Sequence, residues 1–416
     1  MNLLKKIFRN EIVKNISFLV SGSVLAIFLP LLFEPFLKRV YIAEDFGKLS
    51  LFLKAFGTLI IFSSGCYEMA IMVSNNEDEA KNLVKGNILL NLFVLVISQV
   101  IIIGLFYFKF FSSLENYIFL LPIAVFTYSV GISFNNYMIY QKKYREVSIN
   151  KFLRRAGETL TQYFLKRIFN LGSGLLIGTT LGNLFFMFYN IKIANINMSI
   201  NLKKIKAVYK KYIEFPKYYL FPQLYNTFSV SIIDIVVFTK FTIADVGYLE
   251  LTNKVLTLPS ALLSESIGKV LLQDISKKIN NKDSIKKETK IVLLFLFSIA
   301  VIYISIIFLF GPFLFKLIFG NNWEKSGKYA QYLIVYIGLS FITSIFGVVL
   351  LALKKIKQNS LWQILKTTSI LTLIFFNFTS VKNFLIIYSS INTVFYIAYL
   401  VLIIYQVYKY EKEIKI

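Results

Sequence analysis

Apolar runs long enough to cross a bilayer recur along the whole of this chain, and few features restrict a fold more. A segment surrounded by hydrocarbon must satisfy its backbone N–H and C=O groups internally, which leaves helices or a closed barrel. A crossing helix needs about 20 mostly apolar residues. About twelve stretches qualify, at 16–36, 49–73, 86–108, 116–140, 156–171, 174–194, 216–239, 247–273, 291–311, 328–353, 360–378 and 384–408. The runs are continuous and not strictly alternating, which argues for helices over barrel strands. The chain is 56% hydrophobic and only 16% charged, whereas soluble domains carry about 25% charged residues. The expectation is an all-α integral membrane protein without a sizeable soluble domain. No small-residue cleavage site follows the basic first segment, so the first apolar stretch reads as a retained helix.

Charge then orients the chain. The formal net charge is +24. In a soluble protein that would point to nucleic acid, but here the lysines cluster in short loops between apolar segments. Lys142, Lys143 and Arg145 form one cluster, Lys203, Lys204, Lys206, Lys210 and Lys211 a second, Lys277, Lys278, Lys286 and Lys287 a third, and Lys354, Lys355 and Lys357 a fourth. All fall on one side if the helix number is even and both termini are cytoplasmic, as the positive-inside rule requires. The longest loop, 195–215, divides the chain into two six-helix lobes, residues 1–200 and 201–416. Its run from Leu202 to Tyr212 alternates lysines with apolar residues and predicts a short helix on the inner leaflet.

The lobes share a pattern. Asp45, Gly47, Leu49, Leu51 and Lys54 return in the same order and spacing as Asp245, Gly247, Leu249, Leu251 and Lys254. Prolines punctuate the first helix of each half, Pro30 and Pro35 in one, Pro216 and Pro222 in the other. A fixed offset of this kind marks internal duplication. Halves of parallel orientation are related by a pseudo-twofold axis along the membrane normal, and transporters commonly place the substrate path between such halves.

Several chemistries are excluded. The sequence has no histidine and one cysteine, Cys66, which removes histidine relays, histidine or cysteine metal sites and intramolecular disulfides. No Gly-x-x-x-x-Gly-Lys-Ser/Thr phosphate loop is present. Neither a large soluble loop nor clustered acids for a metal suggest a glycosyltransferase or polymerase. The chain is expected to be a secondary or facilitated transporter with no cofactor and no metal, and not an enzyme.

Ionisable residues at membrane depth are costly and normally face a partner or an aqueous cavity. The candidates are Lys54, Lys166, Arg167, Lys254, Lys269 and Lys366, with Glu34, Glu68, Glu158, Asp234, Glu250 and Glu265 as acids. Glu250–Lys254 and Glu265–Lys269 are four apart, so each pair can neutralise itself. Lys54, Lys166 and Arg167 have no acid three or four positions away. They point either to an anion-attracting cavity or to snorkelling at a helix end. Asp234, mid-span, is the main candidate for ion coupling, or an ion-pair partner for Lys54 or Lys254; Glu68 is the second coupling candidate.

Five stretches carry a family resemblance. They are Pro35 to Gly47, with Arg39, Tyr41, Glu44 and Asp45; Gly65 to Glu68, with Ala70 and Ile71; Phe215 and Pro216, with Pro222 and Asn226; Val246 to Tyr248, with Lys254 and Pro259; and Ile318 to Trp323, with Gly327. Together they resemble the bacterial polysaccharide flippases, exporters of lipid-linked O-antigen and capsule repeat units. Their superfamily also holds multidrug extrusion proteins and lipid II flippases. The resemblance implies a two-lobe helical bundle that rocks between inward- and outward-open states in the bacterial inner membrane. It implies an undecaprenyl-diphosphate-linked oligosaccharide as cargo. The cations at depth suit that anion, and Lys54, Lys254, Lys166, Arg167 and Arg39 are the candidates for a cationic lumen. Membrane lipids, a polysaccharide polymerase and other assembly proteins are the implied partners, and no nucleic acid. One departure stands out: Gln141 occupies the place of an expected arginine, which shifts the inner-leaflet diphosphate contact toward Lys142 and Lys143. The alternative reading is a cation-coupled multidrug antiporter of the same fold, although such a protein should present acids in its central cavity and this chain offers more unpaired cations than acids.

Overall fold

The computed structural model describes residues 29–107 and 115–414. Among these the chain is helical almost throughout and forms no strand. Helix α1 spans 29–40. It is followed by α2 (Ala43–Ser64), α3 (Tyr67–Met72), α4 (Glu77–Tyr107), α5 (Leu120–Tyr140), α6 (Tyr144–Phe169), α7 (Gly174–Ala194) and α8 (Leu202–Lys211). Then come α9 (Glu214–Lys240), α10 (Ile243–Asn280), α11 (Lys286–Phe319), α12 (Glu324–Phe346), α13 (Val348–Ala352), α14 (Ile356–Leu371) and α15 (Val381–Glu413). Seven stretches among the described residues are long and apolar enough to cross a membrane: α2, α4, 117–140, α7, α11, 321–352 and α15. Helices α6, α10 and α14 are not among them, and these three carry most of the cations considered below.

Packing divides the chain into two compact units, the first ending at Ser231 and the second beginning at Ile232, inside α9. In the first unit α5 packs against α4 and α7, and α6 lies along α7. Leu83, Val84, Phe134, Tyr137 and Met138 form its buried core with Ala70 and Ile71. Polar side chains tie the helices across this core. The Ser63 and Ser129 hydroxyls are 2.7 Å apart, Asn87 Nδ2 donates to Ser133 Oγ at 3.1 Å, and Asn150 Nδ2 donates to Asn190 Oδ1 at 2.5 Å. In a bilayer, lipid tails compete with apolar side chains as neighbours, so such bonds help specify which helices pair.

In the second unit α12 is the central helix, against α10, α11 and α15. A Cβ on Gly327 would lie 2.5 Å from Pro312 Cα and 2.6 Å from the Gly311 carbonyl oxygen; only a glycine lets α12 approach α11 this closely. Glu411 of α15 is buried and accepts the backbone N–H groups of Ile285 (2.7 Å) and Lys286 (3.0 Å). A carboxylate there satisfies orphan donors and suits the positive end of the α11 dipole. On α4, Phe93, Val96 and Val100 stay exposed, as do Phe308, Leu309 and Phe313 on α11; these faces suit acyl chains.

The repeated aspartates have one local role. Asp45 and Asp245 are each the third residue of their helix, and each accepts the backbone N–H of the residue before that helix: Ile42 N to Asp45 Oδ2 at 3.3 Å, and Thr242 N to Asp245 Oδ2 at 3.3 Å. This is the carboxylate half of a capping box.

The spans differ from expectation in several places. The 49–73 stretch is not one helix, because Gly65 and Cys66 both take left-handed backbone (φ 55° and 61°) and separate α2 from α3. The helix at the fifth expected span begins at Tyr144 and not at 156. Helix α14 stops at Leu371 and gives way to a tight 3-10 turn, Thr372–Phe375. Residues 16–28 of the first span and the side chains of Glu265 and Lys269 lie outside the described residues.

The 195–215 loop does contain the expected helix, α8, N-capped by Asn201, whose side chain accepts from Lys204 N at 3.2 Å. Its apolar face, however, packs on protein. The Tyr209 ring stacks on Tyr67 with centroids 4.1 Å apart, and its hydroxyl donates to Asn87 Oδ1 at 2.6 Å. A Cβ on Gly86 would collide with the Tyr209 ring, so that ring needs a glycine beneath it. Lys204 pairs with Asp78 (3.1 Å) and Lys211 with Glu79 (2.6 Å), while Tyr212 donates to Glu79 Oε2 at 2.8 Å. Burial pushes the Tyr212 phenol above its ordinary 10.0, and the Glu79 hydrogen bond raises the Lys211 ammonium. The loop that seemed to divide the lobes is thereby strapped to the first unit.

Candidate functional site

Each unit holds a cation on a pair of aromatic rings, and in each the cation's helix begins at the same kind of turn. At the end of α5, Lys142 takes left-handed backbone (φ 59°), with Lys142 N donating to Ile139 O and Lys143 N to Met138 O, both at 2.9 Å. At the end of α13, Lys354 does the same (φ 59°), with Lys354 N donating to Leu351 O at 3.0 Å and Lys355 N to Leu350 O at 2.8 Å. A new helix starts immediately after each turn, α6 and α14. Arg154 lies twelve positions after Lys142, and Lys366 twelve positions after Lys354.

Arg154 lies over two rings of the first unit, its guanidinium carbon 5.0 Å from the centre of Tyr128 and 5.3 Å from that of Phe186. Its Nη1 donates to Asn183 Oδ1 at 3.3 Å. Phe56 of α2 packs edge-on against Tyr128 at 5.4 Å and braces the platform. Lys366 lies 5.0 Å from the centre of Trp362 and 4.9 Å from that of Tyr396, and donates to the Tyr396 hydroxyl at 3.2 Å. Trp362 is held by its own Nε1–H bond to Phe395 O (2.8 Å) and by stacking on Tyr399 at 4.1 Å. No carboxylate among the described residues lies within ion-pair distance of Arg154 or Lys366. A ring face stabilises a cation by roughly 0.5–2 kcal/mol without cancelling its charge, and Glu158, the nearest acid to Arg154, is ion-paired with Arg155 at 2.9 Å, so both groups keep an attraction for an anion.

The cations named from the sequence have other settings. Lys166 reaches Asp45 at 3.9 Å and sits 5.4 Å from the Tyr41 ring centre; Tyr41 in turn donates to Gln162 O at 2.6 Å. This contact ties the end of α6 to the start of α2. Arg167 and Arg39 are exposed at the ends of α6 and α1. Lys54 is half-buried in α2. Lys254 meets Glu250 at 3.9 Å, the helical pairing its spacing predicts. Asp234 is buried, within electrostatic reach of Tyr336 and Tyr388. Glu68 is half-buried in α3, with one carboxylate oxygen lacking a hydrogen-bond partner among the described residues. Gln141 donates to the Tyr137 hydroxyl (2.8 Å), which donates to Glu77 (2.9 Å); the residue in the arginine's place belongs to a hydrogen-bond chain within the first unit.

Arg154 is absent from the sequence candidates because a span starting at 156 leaves it in a loop. The signal that locates it is the repeated Lys-Lys pair, Lys142–Lys143 and Lys354–Lys355, which marks both helix starts and brings Arg154 into register with Lys366.

With this geometry in view, the sequence matches one family model, described as "Polysaccharide biosynthesis protein", over residues 36–328. The chain belongs to this family. Nearly all of the stretches that carried the resemblance fall within the matched region. No curated protein matches the chain. Among solved structures, this polysaccharide biosynthesis protein is similar to "Lipid II flippase MurJ, inward closed conformation", with a TM-score of 0.68 at 15% identity, covering 95% of this chain and 90% of that one. It is also similar to an outward-facing multidrug resistance MATE family transporter of the MOP superfamily, with a TM-score of 0.56 at 11% identity, covering 95% and 96% of the two chains. A third is a point mutant of the Vibrio cholerae MATE transporter VcmN, with a TM-score of 0.51 at 12% identity and coverage of 100% and 97%. At these identities the likeness concerns the fold alone, that of a multi-pass membrane protein.

Proposed function

We propose that this protein is a flippase for lipid-linked oligosaccharide repeat units, carrying a polyprenyl-diphosphate cargo across the bacterial inner membrane by alternating access and doing no covalent chemistry. Family membership and the likeness to a lipid II flippase support the class. The observation that carries the reading to the cargo is the duplicated cation on aromatic rings, Arg154 on Tyr128 and Phe186, and Lys366 on Trp362 and Tyr396. A diphosphate is an anion that a guanidinium can grip through paired N–H groups, and aromatic faces suit sugar rings. Lys54 and Lys254 add positive charge along α2 and α10, and Asp234 is the candidate for coupling to an ion. A cytoplasmic location of both termini and cooperation with a polysaccharide polymerase belong to the same proposal.

The test is movement of a labelled polyprenyl-diphosphate oligosaccharide in proteoliposomes, read as protection of the sugar from an external modifying enzyme. A charge-assisted hydrogen bond contributes about 1.5–3 kcal/mol, so Arg154→Ala should slow movement roughly 10- to 100-fold, and Arg154→Lys should recover part of the loss. Lys54→Glu with Lys254→Glu should abolish it. Undiminished movement in an Arg154→Ala, Lys366→Ala double variant would remove the basis for the diphosphate assignment. Efflux of organic cations driven by a proton gradient, without lipid movement, would instead select the multidrug antiporter and make Asp234 its central residue.

A further inference from the structure

A second cationic site lies within the second unit, at the lysine-rich ends of α10, α13 and α15. A cavity of about 650 Å³ opens there, lined by Lys354, Lys355 and Lys409, by Asn280 and Gln406, and by one carboxylate, Glu413. Three ammonium groups against one acid leave the rim positive. None of the three lysine ammoniums makes a hydrogen bond or ion pair with a described residue. The equivalent turn of the first unit differs, because Lys143 Nζ donates to Ile193 O at 3.3 Å. Beside the lysines, Gln406 is 5% exposed, and its Oε1 has no hydrogen-bond partner among the described residues. A buried amide oxygen without a donor is unfavourable unless something supplies one. The cavity is thus cationic at its mouth, and its wall holds a buried amide oxygen without a donor among the described residues. Leu351, exposed on the rim, continues the cavity toward an apolar surface.

We propose that this cavity binds the headgroup of an anionic membrane glycerolipid that carries a phosphate and a free hydroxyl. The lysines take the phosphate, and a small rotation of Gln406 lets its amide oxygen accept the hydroxyl. Basic pockets between membrane helices recognise acidic headgroups in this way. The lining includes neither Arg154 nor Lys366, so the proposal stands whether or not the flippase reading does.

The experiment uses the purified full-length protein in neutral detergent, titrated with short-chain phosphatidylglycerol, phosphatidic acid and phosphatidylcholine, and with glycerol 1-phosphate as the soluble form of the same chemistry. Phosphatidylglycerol should bind well and phosphatidylcholine poorly. Each of Lys354→Ala, Lys355→Ala and Lys409→Ala should weaken phosphatidylglycerol about fivefold, and the triple variant on the order of a hundredfold. The triple arginine variant should retain binding, which separates loss of charge from misfolding. Gln406→Met should erase the preference for phosphatidylglycerol over phosphatidic acid while leaving phosphatidic acid unchanged. Equal binding of phosphatidylcholine, or lysine variants that fold and still bind phosphatidylglycerol at full strength, would overturn the site. Glycerol 1-phosphate binding as tightly as phosphatidylglycerol would overturn the lipid as its source.

Discussion

The two copies of the repeated aspartate should differ in energetic weight, and the structure says by how much. Asp245 is 4% exposed. Its Oδ1 accepts from Lys325 Nζ at 2.6 Å and Tyr329 OH at 2.7 Å, while its Oδ2 accepts from Thr242 N at 3.3 Å and Thr242 Oγ1 at 2.8 Å. Asp245→Ala removes a helix cap, worth about 1 kcal/mol. It also strands the Tyr329 hydroxyl, on a residue only 3% exposed, at about 1–3 kcal/mol. The Lys325 side chain is 49% exposed, so screening limits its share to about 0–1 kcal/mol. The expected cost is about 3 kcal/mol. Asp45→Ala loses only the Ile42 cap and a Lys166 contact at 3.9 Å, about 1–2 kcal/mol. The assay is equilibrium unfolding in mixed micelles titrated with a denaturing detergent, run as a double-mutant cycle of Asp245→Ala with Tyr329→Phe. The two changes should couple by about 1 kcal/mol. Additivity of the pair, together with equal costs for Asp45→Ala and Asp245→Ala, would refute the reasoning.

Further outcomes follow from the strap formed by α8. Tyr209→Phe should cost about 1–2 kcal/mol, since it leaves Asn87 Oδ1 without its donor in a buried place. Gly86→Ala should displace the Tyr209 ring and free the helix; a spin label on Lys206→Cys in a Cys66→Ser background would report this as increased mobility, and an unchanged spectrum would contradict the collision. Tyr212 and Lys211 both have folded values above their ordinary 10.0 and 10.5. While Glu79 is ionised, their contribution is therefore complete up to about pH 10 and is lost as pH rises through the folded values. The same label should stay immobile up to about pH 10 and loosen only beyond it; release at about pH 8 would exclude these groups as the fastening.

Sequence was enough for the class of protein and for some local contacts. Continuous apolar runs leave helices as the outcome wherever hydrocarbon surrounds the chain. Neighbours four apart on a helix meet whatever surrounds them, so Glu250 and Lys254 paired as their spacing requires. The short helix between Leu202 and Lys211 was also readable, because its cap and alternation are local. The expectation for its apolar face did not follow, because a lipid surface and a groove between α3 and α4 suit the same pattern equally well. The start of α6 was hidden for a related reason: its cations lower the apolarity that marks a span, and those cations are what make it a candidate binding helix.

The sites depended on contacts that no local pattern contains. Arg154 acquires its setting from Tyr128 on α5 and from Asn183 and Phe186 on α7. Lys166, which has no acid nearby in sequence, finds Asp45 from the far end of the same unit. Lys366 was visible as a charge at depth, but only packing put Tyr396 of α15 beside it. Composition and period fix what a segment buries and which residues share its face; they are silent on which other helix that face meets. For this protein the sequence determined helices, charge placement and repeat, while tertiary packing decided which cations lie on aromatic rings and which meet a carboxylate.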